Sequence, residues 1–202
     1  MPVATNEAST AERILDVAEG LVQVRGFNGF SYAHVAGELG ITKASLHYHF
    51  PGKGELGEAL IERYATRFAD ALGAIDRDAL DALAKLHAYA ELYSGVLRGD
   101  RMCLCGMLAA EYETLPEAMG AAIVRFFDAN EAWLAGVLDA GRDDGSLAFA
   151  GKSSDAAQTI LAGLEGAMLV ARPYHAPERF EVAADRLLGT FAAPSGAPNR
   201  LR

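Results

Sequence analysis

Ser31-Tyr-Ala-His-Val-Ala-Gly-Glu-Leu-Gly-Ile-Thr-Lys-Ala-Ser-Leu-His-Tyr-His-Phe50 is the stretch whose reading decides the fold. Ser31 is suited to cap a short helix running to Leu39, and Gly40 supplies the left-handed residue that stops it. Thr42 caps a second short helix, which runs to His49 or Phe50 before Pro51-Gly52 breaks it. Two short helices joined by a tight glycine turn satisfy the requirements of a helix-turn-helix. Val35, Leu39, Ile41 and Leu46 supply apolar contacts between the two helices and an element behind them, and Ala36 is small where they cross. The spacing alone also fits an ordinary helical hairpin.

That packing leaves Thr42, Lys43, Ala44, His47 and Tyr48 on the outer face of the second short helix, the face that would enter a DNA major groove. Ser31 and Thr42 can add hydroxyls or helix-N-terminal amides toward phosphates.

Working outward, Ser9 and Glu12 form an S-x-x-E capping box. Ile14, Leu15, Ala18, Leu21 and Val22 then recur at helical spacing until Gly26 and Gly29. Helices are expected next from about Lys53 to Leu72, Asp78 to Leu97, and Cys103 to Tyr112. Thr114 and Glu117 suggest a second capping box, opening a helix to Ala140, with a loop from Arg142 to Gly151. Two more helices follow, from about Ser154 to Arg172 and from Pro177 to Phe191. Period-two strand patterns are missing. The fold class is therefore all-α. A three-helix helix-turn-helix domain is expected at 9–55 and a helical effector-binding and dimerisation domain at 56–192, with flexible tails at 1–8 and 193–202.

Composition agrees with a folded chain of one or two domains. The 202 residues are 51% hydrophobic and 22% charged, which is too apolar for a disordered chain. No run approaches a membrane span, and Met1–Thr10 lacks the pattern of a secretory signal. Two cysteines, Cys103 and Cys105, make no disulfide framework and point to a reducing, cytoplasmic setting. The net charge of −9 argues against a broadly basic nucleic-acid coat protein. The first 55 residues are themselves not basic: Arg13, Arg25, Lys43 and Lys53 face six acidic residues, so few phosphate contacts and a modest salt dependence are expected.

The run Leu46-His-Tyr-His-Phe-Pro-Gly-Lys-Gly-Glu-Leu56 resembles the signature of the TetR family, in which a recognition helix ends in an aromatic-His-Phe run before a Lys-x-x-Leu helix start. The whole window from Ala11 to Leu56 is similar to that family's N-terminal domain. The resemblance implies an all-helical homodimer that represses transcription from a palindromic operator and leaves DNA when a signal arrives. It implies a DNA-facing set of Ser31, Thr42, Lys43, Ala44, His47, Tyr48 and Lys53, with Lys53 gripping a phosphate at a helix start. One departure is His47, where the family usually has tyrosine; its charge varies near neutral pH, so operator affinity is expected to rise as pH falls.

Arg101-Met-Cys-Leu-Cys-Gly-Met-Leu-Ala-Ala-Glu-Tyr-Glu-Thr-Leu115 resembles a subgroup of that family whose members respond to electrophiles or oxidants, and Cys103 falls on their sensing cysteine. A helix start, with Arg98 and Arg101 close in sequence, would favour a reactive thiolate. Both cysteines also read as small buried apolar residues. Cys105 lies about 200° around a helix from Cys103, so the two do not easily bridge. A Cys-x-Cys metal site with His87 or His175 lacks the established zinc spacings. Tyr64, Phe68, Tyr89, Tyr93, Phe126, Phe127, Trp133 and Met168 could line a pocket for an apolar, partly aromatic effector, or simply form core. The helices at about Thr114–Ala140 and Ser154–Arg172 are expected to pair across the two-fold axis. No catalytic constellation, cofactor motif or metal motif is present; an enzyme would leave the aromatic-His-Phe end of the second short helix unexplained, and a pure dimerisation module would not need exposed Thr42, Lys43 and Tyr48.

Overall fold

The computed structural model describes residues 9–78 and 81–194, so the tail expected at 1–8, and the tail expected at 193–202 from residue 195 on, lie outside the described residues. Nine α-helices occupy most of the described chain. They are α1 (Thr10–Arg25), α2 (Tyr32–Leu39), α3 (Lys43–His49), α4 (Lys53–Asp78), α5 (Ala82–Arg98), α6 (Leu104–Ala109), α7 (Glu117–Asp144), α8 (Ser153–Ala171) and α9 (Pro177–Gly189). Short 3-10 turns cover Tyr112–Thr114 and Arg172–Tyr174. The sole extended pairing among described residues is the isolated bridge between Leu147 and Ala192. Ala193 N–H also donates to Ser146 O at 3.2 Å, so the chain is held in place through the start of the segment expected to be loose.

The helices divide into two compact units. One comprises the described residues up to Arg67 together with Cys103–Arg125. The other comprises Phe68–Met102 and the described residues from Phe126 on. α4 and α7 contribute to both. In the first unit, Ile14, Ala18 and Val22 of α1, Val35 of α2, Leu46 of α3 and Leu56, Leu60 and Ile61 of α4 are buried together with Leu104 and Leu108 of α6. In the second, Leu86, Tyr89 and Tyr93 of α5, Leu134 and Leu138 of α7, Leu164 and Met168 of α8, and Phe180 and Leu188 of α9 make the core.

Local signals explain most ends. Ser9 Oγ accepts from Glu12 N–H at 3.2 Å while Glu12 Oε2 accepts from Ser9 N–H at 2.6 Å, completing the capping box. Gly40 has φ +66°, as the turn requires, and Thr42 Oγ1 accepts from Ser45 N–H at 3.1 Å. α4 runs past Leu72 to Asp78, because Ile75 continues the buried stripe through Gly73. α5 starts later than expected, at Ala82, because Asp81 Oδ1 accepts from Ala84 N–H at 2.7 Å. α7 does not open on the expected Thr114–Glu117 box. The Thr114 hydroxyl instead donates to Glu111 O at 2.8 Å and accepts from Asn28 Nδ2 at 2.7 Å. α7 also passes Ala140 and stops at Asp144, before Gly145 at φ +79°.

Candidate nucleic-acid interface and signal site

α3 has seven residues, far below the length at which an isolated helix persists in water, so its neighbours hold it. Leu46 is fully buried, which contributes about 1.5–3 kcal/mol. The Tyr32 hydroxyl, on α2, lies 2.8 Å from Phe50 O, which caps α3, and 2.6 Å from Gly52 O, which precedes α4, sharing its one proton between them. Burial, helped by the Glu55 charge, pushes this phenol up to about 12, so it remains a donor across the physiological range. These contacts fix which face α3 presents.

Thr42, Lys43, Ala44, His47 and Tyr48 are all exposed on that face, and Tyr48 is 84% exposed. The Thr42 oxygen is used as an acceptor, but its hydroxyl proton remains available to donate. Ser31 is exposed at the start of α2, with its backbone N–H donating to His34 Nδ1 at 3.1 Å. His47 stacks obliquely on the Tyr32 ring, centroids 4.7 Å apart, and its Nδ1 lies 3.0 Å from Pro51 O. A carbonyl only accepts, so Nδ1 carries the proton, and a neutral His47 offers a lone pair at Nε2.

Lys53 is placed differently from the expectation of an ammonium reaching outward to a phosphate. Its Nζ donates to Phe27 O at 2.5 Å and Phe30 O at 2.7 Å, and sits over both rings at 4.5 and 4.3 Å. Burial pulls its pKa below the usual lysine value, and the Glu111 carboxylate opposes that shift. The partners lie more than twenty residues away, so no local pattern announced them.

In the same unit, Cys103 is the N-cap of α6 and is 1% exposed. Its sulfur accepts from Gly106 N–H at 3.5 Å and from the Tyr64 hydroxyl at 3.7 Å. Both contacts stabilise negative charge on sulfur. Cys105 is fully buried, and both cysteines are free thiols. Arg98, suggested by its proximity in sequence, is already committed: its guanidinium donates to Ser94 Oγ, Glu181 and Glu91.

The second unit gathers six of the eight proposed pocket residues by ring contact. Phe68 meets Tyr89, Tyr93 and Phe126 edge-on, with centroids 5.3–6.0 Å apart. Trp133 stacks on Tyr89 at 5.6 Å, and Phe127 meets Phe126 at 5.6 Å. Met168 is fully buried on α8, and Tyr64 belongs to the other unit beside Cys103. Within the cluster runs a polar relay that the sequence did not reveal. Tyr89 hydroxyl donates to Asn130 Oδ1 at 3.1 Å, and Asn130 Nδ2 donates to Phe126 O at 2.8 Å. With its proton used there, Tyr89 accepts from Tyr93 at 3.0 Å. Asn130 interrupts the apolar stripe of α7, a signal that was present but unassigned. At the cluster's edge the Trp133 indole donates to Asp76 at 2.9 Å and borders a cleft of about 370 Å³. Hydrogen bonds from Lys85 and then Trp133 hold the Asp76 carboxyl below the usual carboxylate range. Among the described residues, no group of three or more His, Cys, Asp or Glu side chains could hold a metal. None of the described helices is long and apolar enough to cross a membrane.

Comparison with known proteins agrees with this geometry. The profile described as "Bacterial regulatory proteins, tetR family" matches residues 14–60, the span of the helix-turn-helix and the start of α4. A TetR-family transcriptional regulator from Agrobacterium tumefaciens is 31% identical, covering 91% of this chain and 97% of its own, with a TM-score of 0.87. The transcriptional regulator AcuR of Cereibacter sphaeroides is 28% identical over 186 residues, covering 85% of this chain and 80% of its own. The reduced form of E. coli NemR is 26% identical, covering 93% of this chain and 99% of its own, with a TM-score of 0.82. With a helix-turn-helix whose second helix turns polar and aromatic side chains outward, and with this likeness along nearly its whole length, the chain belongs to the TetR family of DNA-binding transcriptional regulators.

Proposed function

We propose that the protein is a homodimeric repressor that reads a palindromic operator through α3 and is released from it by a small apolar ligand or a thiol-reactive signal. The observation that carries the DNA-reading half is the exposed row Thr42, Lys43, Ala44, His47 and Tyr48 on a helix anchored from behind by Leu46 and Tyr32. Ser31 and Thr42 hydroxyls would contact phosphates at the flanks. Lys53 is better suited to shaping the head than to gripping a phosphate directly, since its ammonium already serves two carbonyls. Selection of bound duplexes from random DNA, followed by footprinting, tests the reading. A preferred palindrome with half-sites about one helical turn apart is expected, and no preferred sequence would refute it.

With Nδ1–H committed to Pro51 O, Nε2 is the ring nitrogen of His47 left for a contact to DNA. His47→Phe, which removes it, is expected to lower operator affinity about three-fold at fixed salt, and unchanged affinity would remove this contact.

Two features support the two kinds of signal. The aromatic cluster around Tyr89 and Asn130 suits an apolar, partly aromatic effector. Cys103 combines two donors on its sulfur with deep burial, which favours small electrophiles over bulky ones. Likeness to NemR, solved in a reduced form, is in keeping with a redox-responsive reading. Operator binding measured before and after a small thiol-reactive electrophile, with Cys103→Ser in parallel, separates them. Release of the wild type alone assigns the signal to Cys103. If both stay bound, the cysteines serve packing, and apolar ligands quenching the fluorescence of Trp133, the chain's one tryptophan, become the assay.

A further inference from the structure

The Ala-Glu that follows the cysteine pair is not absorbed by either signal, yet Glu111 makes a specific long-range contact. Its carboxylate accepts from Phe27 N–H at 2.6 Å and from Asn28 N–H at 3.2 Å. Successive backbone amides form a nest for an anion, and here a side chain from 83 positions further along the chain fills it. Gly26 makes room: it has φ +79°, and a Cβ there would come within 2.6 Å of Glu111 Oε1. Asn28 Nδ2 donates to Thr114 Oγ1 at 2.7 Å, a second tie between the same two segments.

The opposite polarity of the same loop is held by Lys53, which takes the carbonyls of Phe27 and Phe30. Residues 26–30 are therefore clamped by a carboxylate on their amides and an ammonium on their carbonyls. Phe30 directly precedes Ser31, where α2 begins, and Lys53 begins α4. The clamp thus sets where α2, and α3 behind it, stand against α1. Cys103 opens the segment that ends in Glu111 and Thr114, and α6 within it packs against α1.

We infer that Glu111 is a positioning residue of the DNA-reading head, splicing the Cys103–Thr114 segment onto the α1–α2 loop so that displacement of that segment changes the seating of α2 and α3. The inference rests on α3 reading DNA; it does not need Cys103 to be a chemical sensor.

The test uses the full-length protein and the duplex recovered by selection. Glu111→Gln keeps the size and removes the charge; Glu111→Asp keeps the charge and withdraws it by one methylene. Each is expected to lower operator affinity about ten-fold with the far-UV circular dichroism unchanged. The amides of Phe27 and Asn28 should exchange faster in Glu111→Asp. Cys103→Leu, which overfills a packed position, displaces the segment without chemistry. It should cost about five-fold in the wild-type background and nothing further in Glu111→Gln, since positions coupled through a shared backbone shift are non-additive. A merely structural glutamate would leave the Cys103→Leu penalty the same in both backgrounds, which would overturn the inference, as would affinities of both Glu111 variants within two-fold of wild type. Failure of the wild type to select any duplex would overturn the reading of α3 and this inference with it. Coupling between positions 103 and 111 without any response to electrophile would keep the inference and discard the thiol signal.

Discussion

Tyr48→Ala is expected to weaken specific operator binding at least about 100-fold while leaving fold and oligomeric state unchanged. The estimate follows from symmetry. A well-placed side chain at a base edge or the adjacent backbone is worth about 1–3 kcal/mol, and the proposed dimer would lose it twice. Even about 1.4 kcal/mol per head doubles to roughly the 2.8 kcal/mol that corresponds to a factor of 100. The share is large because the head has few cations. Arg13, Arg25, Lys43 and Lys53 are the basic residues up to Glu55, and Lys53 spends its charge on Phe27 and Phe30 carbonyls. A weakly basic head draws less from phosphate neutralisation and more from direct contacts. The fold should not notice the change, because Tyr48 is 84% exposed and exposed substitutions usually stay within about 0.5 kcal/mol. Fluorescence anisotropy on the selected duplex, with sedimentation velocity on the free protein, measures both halves. Specific affinity within three-fold of wild type would mean that α3 does not use this residue to read DNA.

The reading head was legible in the sequence because its determinants are local. Gly40, Thr42, Val35 and Leu46 act within a few residues and stand where the pattern put them, while Leu39 and Ile41 are only half-buried. What sequence reading missed depends on partners far along the chain. Thr114 looked like a helix cap and is instead shared between Glu111 O and Asn28. Lys53 looked outward-facing and is drawn inward by two carbonyls and two rings. Glu111 was visible as a residue but not as a ligand for amides 83 and 84 positions away. The aromatic residues were individually legible as apolar. Their grouping about Asn130 was not, since one buried amide in a helical stripe does not declare which hydroxyls it will meet. Local chemistry specifies elements and their ends; long-range polar contacts, which specify how the elements are held, leave no periodic trace.

The second large effect concerns the proposed dimer. The sequence leads us to expect the seam for a partner copy on the helices at about Thr114–Ala140 and Ser154–Arg172, now α7 and α8. Gly163 of α8 faces its own chain, since a Cβ there would come within 2.6 Å of Leu187 of α9. The large apolar side chains left exposed along the end of α8 and on α9 are Leu169, Val170 and Val182, each about three-fifths exposed. On α7 the comparable residue is Val124. Two copies of α8 and α9 would bury that face as a four-helix interface. Val182→Glu places a carboxylate there twice, once per subunit, and desolvating each charge costs several kcal/mol. The variant is expected to be a folded monomer at micromolar concentration, because Val182 is exposed in the single chain. Specific operator affinity should fall at least about 100-fold, since the second half-site no longer benefits from the first. Val124→Glu should remain dimeric and bind operator normally. Sedimentation equilibrium on the two variants decides between the seams. Dissociation by Val124→Glu with Val182→Glu intact would return the interface to α7, and would detach the spacing of the two reading heads from α9.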